Sequence, residues 1–263
     1  LGISQPLQPI WEIYKNVLPR QNGGQLHRFK RYMFRLALRI VIFLCVFVLY
    51  LVDKQHIWRV MTDPIFFGVS PIRFVWLVFM IIMVQHLFPN ELRSMALRKE
   101  DKKYFQPAGG YSETELLKFV QVQNIRAWQV MLIWLSFNSI FGLLYLAKVI
   151  DEADLFMLTV FFFLCDYICI LFFCPFQTFI MKNRCCVNCR IYDWGHFMMF
   201  TPMLFICNFF SWSLFFTSVV VLIHWEILYA KHPERFWYGS NKALQCANCK
   251  DKTCQIKKKL AAR

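Results

Sequence analysis

Charge is scarce in this chain, and it is missing in long stretches. Only 17% of the 263 residues are charged while 58% are hydrophobic, and the apolar runs carry almost no charge, which excludes an ordinary soluble domain. Histidine is sparse too, at six residues, and no histidine boxes of the membrane-oxygenase type are present. Nor is there a His-Glu-x-x-His helix, a Gly-x-Ser-x-Gly elbow or a phosphate-cradling glycine loop. No standard catalytic motif therefore assigns an enzyme class. Residues 1–24, LGISQPLQPIWEIYKNVLPRQNGG, lack the compact apolar core of a cleaved signal, so the first apolar segment reads as a true span.

What the chain does have is apolar runs of membrane-crossing length, roughly 20 residues each. Four are clear, at 34–52, 71–88, 128–149 and 155–181. A fifth block, 191–230, would be near 60 Å long as one helix at about 1.5 Å per residue, twice a hydrocarbon core. It reads as two helices with a tight turn near Asn208–Trp212. The first of the pair is the weakest span because it contains Asp193, His196 and Pro202. Phenylalanine, at 29 residues, suits a lipid-facing surface. Trp58, Trp128, Trp194, Trp212 and Trp237 fall near span ends, where an indole anchors at the interface.

Basic residues test the count of six. With the N-terminus inside, segments 1–39, 89–127, 182–190 and 231–263 are cytoplasmic and hold 26 of the 30 Lys and Arg residues. A five-span arrangement would put the basic tail outside, against that bias. The net charge of +14 then follows from topology and from attraction to anionic lipid headgroups; nothing else supports nucleic-acid binding. The expected fold is all-α and polytopic. A polar segment 1–33 precedes six transmembrane helices, arranged as three hairpins over 34–230, with inner loops 89–127 and 182–190. A basic, Cys-containing tail follows at 231–263. In the connector before the third span, Ser112-x-x-Glu115 has capping-box spacing and predicts a helix from about Glu113.

Of eleven cysteines, Cys45, Cys165, Cys169, Cys174 and Cys207 lie within spans and read as small apolar side chains. The others sit in two expected inner segments, which carry the Cys-x-Asn-Cys units Cys186/Cys189 and Cys246/Cys249. Closely spaced thiols in a reducing compartment point to metal rather than disulfides. Four thiolates suit tetrahedral Zn²⁺, and the hairpin between the units returns the chain to one side. Arg184, Arg190, Lys250 and Lys252 would offset the negative charge of such a centre. Cys254 and Cys185 widen the set toward an iron–sulfur cluster or a rubredoxin-like iron site. The readings without metal are palmitoylation of Cys185 and Cys186, and ordinary free thiols in the tail.

A second constellation lies inside the spans. Asp166, about eleven residues into the fourth span, is an ionisable group where charge is expensive, with His224 and Glu226 in the sixth. Residues two apart on a helix face different ways, so His224 and Glu226 cannot both face Asp166. Asn138 and Asn208 are polar groups able to pair with any of the three; His86 and His196 read as wetted interface residues. The functional expectation is a structural or transport role, moving protons, ions or a small solute. The alternative is a membrane redox protein with an iron–sulfur or iron–thiolate centre.

Overall fold

A computed structural model describes residues 23–54, 57, 70–88, 94–183 and 185–249, and every regular element among them is helical. Helix α1, Gly23–Val52, packs along α5, Glu152–Leu171. Among its described side chains the buried one, Leu36, meets Leu164, Tyr167 and Leu171 of α5. Tyr32, Met33 and Phe43 pack partly against the same cluster, while Phe34, Leu44, Leu51 and Val52 are exposed, the pattern of a helix meant for lipid rather than water. At its far end Lys54 Nζ lies 2.7 Å from Asp154 and 3.0 Å from Asp151, and Tyr50 donates to Asp154. Asp151 in turn caps α5 through a capping box with Asp154.

Among the described residues, four stretches are long and apolar enough to cross a membrane: Lys30–Val52, Glu113–Leu146, Glu152–Leu171 and Phe209–Lys231. Four of the six expected spans are thus matched by helices of that length among the described residues. The expected second span is the apolar helix α2, Pro71–His86, whose 16 residues extend about 24 Å at 1.5 Å each. Pro71 opens it where a missing N–H costs nothing. After the single turn α3, Met95–Arg98, helix α4 runs from Glu113 to Leu146 and begins where the sequence places it. The expected capping box is not made, because the Ser112 hydroxyl pairs with Thr114 Oγ1 at 2.6 Å instead.

Two prolines reshape the second half. Helix α5 ends at Leu171 rather than near residue 181, since Pro175 cannot extend the i→i−4 ladder. The chain then makes a π-turn, Phe176–Ile180. The expected fifth span is broken into a 3-10 turn, Arg190–Trp194, the short helix α6, Gly195–Phe200, and a second 3-10 turn, Thr201–Phe205, with Pro202 at the second junction. Irregular backbone at membrane depth is tolerable only inside protein, and this segment is: Asp193, Trp194, Phe197, Phe200, Pro202 and Met203 are buried. It packs against α4, α5 and the last helix, α7, Phe209–Lys231, while Phe79 of α2 meets Phe200 edge-on at 5.2 Å. Asn208 starts α7 by accepting from the Ser211 N–H at 2.7 Å, so the turn expected near Asn208 falls there. At Gly142 of α4 the Phe205 ring occupies the space a Cβ would need.

At one end of the bundle the connector, the cysteine loop and the described part of the tail, up to residue 249, pack into a cap. The Ala108 N–H donates to the Ser240 carbonyl at 2.8 Å and the Lys242 N–H to the Gln106 carbonyl at 2.7 Å. Arg235 donates to the Glu100 carbonyl at 3.0 Å.

Candidate functional site

Asp166 lies in the last two turns of α5, and its partner comes from α1. Arg39 Nη1 donates to Asp166 Oδ2 at 2.8 Å, with the two side chains 17% and 32% exposed. The guanidinium is held between the rings of Phe163 and Tyr167, each centred 4.1 Å from it, and also donates to the Phe163 carbonyl. One turn before it, Arg35 reaches the Tyr167 hydroxyl at 3.4 Å. The free side of the carboxylate, Oδ1, faces Gly195: a Cβ there would stand 2.9 Å from it. Asp166 therefore sits where the first 3-10 turn of the broken segment passes into α6.

Next to Gly195, the same junction carries a group of donors: His86 and His196, expected as wetted interface residues, and Asp193, expected only to weaken the fifth span. Asp193 and His196 are three residues apart and so share a face. His86, the last residue of α2, closes on them, with Nδ1 2.8 Å from Asp193 Oδ1. The His86 and His196 rings meet edge-on at 4.7 Å. Asp193 is 3% exposed on its side chain, and its Oδ2 is buried without a hydrogen-bond partner. His86, Asp193 and His196 form the one group of three or more potential metal ligands, among the described residues, whose donor atoms lie within 4.8 Å of each other.

Glu226 belongs to a separate node. It accepts from Arg190 and from the Trp194 indole N–H at 2.9 Å, while Arg190 also donates to Asn124 and stacks 4.1 Å over the Tyr229 ring. The two expected intramembrane carboxylates are thus each met by an arginine, and not by one another. His224, half-buried, joins neither node. Asn138 turns back to its own helix, donating to the Trp134 carbonyl at 2.9 Å, and Asn208 serves as the cap of α7.

The cysteine units occupy the cap. Both take the same turn, with the Cys189 N–H donating to the Cys186 carbonyl at 3.0 Å and the Cys249 N–H to the Cys246 carbonyl at 3.4 Å. Cys186 and Cys189 are buried, Cys249 is half-buried and Cys246 is exposed. The Cys186 thiol is directed to Gln177 Oε1 at 3.1 Å. The four sulfurs are not part of the group of closely spaced donors described above. Cys254, Arg184, Lys250, Lys252 and the anchor Trp58 lie outside the described residues. What organises the first unit is a lysine. Lys99, 2% exposed, donates to the carbonyls of Val187 at 3.0 Å and Cys189 at 2.7 Å and stands over the rings of Trp225 and Phe236. Burial lowers its ammonium from the ordinary value to about 8, and burial pushes the Cys189 thiol up to about 12.

The chain matches no family model, no curated protein and no solved structure.

Proposed function

We propose that this is a multi-pass membrane protein that moves protons, or a small solute coupled to them, past the Arg39–Asp166 pair at the break in its central segment. One observation carries the reading: the Asp166 carboxylate, held by Arg39 on one oxygen, has its other oxygen against Gly195 where two short helical pieces meet. Ionisable groups inside membrane bundles are costly and are kept for work, and broken helices at depth are a recurrent device for forming transport sites. On this reading the cap faces the cytoplasm, where the basic segments collect and meet anionic headgroups.

The test is flux. Purified protein in liposomes carrying a trapped pH indicator should dissipate an imposed proton gradient, and Asp166→Asn should abolish that activity while Arg39→Gln alters its pH dependence. Equal dissipation by wild-type and D166N protein would remove the reading.

A further inference from the structure

The structure assigns a metal site to His86, Asp193 and His196, with a divalent first-row transition ion of the zinc class as its ligand. The inference does not depend on the transport reading. Two imidazoles and one carboxylate form a donor set that suits zinc and its neighbours, whereas magnesium and calcium prefer oxygen alone. Bonds of about 2.0–2.2 Å at tetrahedral angles hold donors about 3.4 Å apart. Here the three donors lie within 4.8 Å of one another and one pair is already at 2.8 Å, so side-chain rotations suffice.

The second observation is the orphaned oxygen. Asp193 Oδ2 is buried with no hydrogen-bond partner, a costly arrangement for a carboxylate unless a cation meets it. The neighbouring cations are committed elsewhere: Arg190, three residues before, is turned to Glu226, Lys99 to two backbone carbonyls, and Arg39 to Asp166. His86 is the last residue of α2, whose carbonyl end adds a favourable field for positive charge. Three protein ligands leave a coordination position for water or a small anion, the arrangement of reactive rather than purely structural zinc sites.

The test uses the full chain, purified in detergent, stripped with chelator and dialysed against Zn²⁺ or Co²⁺. Elemental analysis should find about one ion per chain. H86Q, D193N and H196Q should each weaken Zn²⁺ binding by at least tenfold. Replacing Cys186, Cys189, Cys246 and Cys249 together by Ser should leave that ion in place. Binding unchanged in the three His/Asp variants, or lost in the cysteine variant, overturns the assignment. Should the His/Asp variants fail to fold, the wild-type cobalt spectrum decides. Ligand-field bands without a thiolate charge-transfer band support nitrogen and oxygen ligands, whereas a thiolate band or no cobalt uptake overturns the site.

Discussion

Gly195 and Asp166 are matched in space: any side chain at Gly195 would bring its Cβ to 2.9 Å from Asp166 Oδ1, the oxygen opposite the one that Arg39 holds. The absence of a Cβ lets α5 and the broken segment close on a charged group. Gly195→Ala should therefore push the carboxylate off its arginine and cost about 1–3 kcal/mol, the range for overpacking. The readout is the melting temperature in detergent. A variant as stable as wild type would mean that the carboxylate swings aside freely and the contact is incidental.

The Arg39–Asp166 pair itself is measurable by a double-mutant cycle with R39Q and D166N. Both side chains are partly exposed rather than sealed in protein, so the coupling should be about 1 kcal/mol or somewhat more, well below that of a fully buried ion pair. Removing Arg39 alone should be the costlier single change, because the guanidinium also stacks on Phe163 and Tyr167. Additive single effects would show that the pair does not couple.

Much of this was legible in the sequence, and the shortfall has definite causes. Asp166 and Glu226 stand out as charges in apolar runs, and Asn208 marks the start of α7. Their arginines did not stand out as partners, because Arg39 lies at the edge of a span and reads as a topology signal, while Arg190 reads as a counter-charge to the cysteine centre. Arg31, Arg35 and Arg39 nevertheless follow one another at helical i+4 spacing, a stripe that could have announced a polar face toward α5. His86 and Asp193 are 107 residues apart, so only the Asp-x-x-His half of the group has a local signature. Pro175 and Pro202 are visible breakers, but hydropathy alone counts apolar residues across them.

Gly142 is a second place where size is fixed. Gly142→Ala would collide with the Phe205 ring and should destabilise by about 1–3 kcal/mol. Phe205→Leu in the same chain should recover part of the loss, as expected for residues in contact. Thermal melts of the two single variants and the double variant check this; no recovery would place the strain elsewhere.

Lys99 makes the stability of the cap depend on pH. Its folded-state ammonium titrates at about 8 against an ordinary 10.5, so from about pH 8 to 10.5 the unfolded chain binds the extra proton. Stability should rise across that window by up to about 3 kcal/mol. The buried Cys189 thiol works the other way: its folded value near 12 lies above the ordinary 9, so its contribution falls as pH climbs from 9 to 12. The clean interval is pH 8 to 9. There wild-type protein should gain stability relative to Lys99→Met, as followed by denaturation at fixed temperature; parallel pH profiles would show that the ammonium is not buried in the working protein.

The sidedness of the last helix can be read with two cysteines. Cys207 is exposed just before α7 and Cys246 is exposed in the cap beyond its other end. The 23 residues of α7 span about 35 Å at 1.5 Å per residue, enough to cross a hydrocarbon core of about 30 Å. Single-cysteine variants carrying one or the other should therefore react with a membrane-impermeant maleimide from opposite faces of sealed vesicles, Cys246 from the cytoplasmic face if the basic segments set the orientation. Labelling of both from one face would mean that α7 lies along the membrane or re-enters it. The cap and the turn at Asn208 would then share a side, and the assignment of inner and outer segments would have to be rebuilt from α4 and α5.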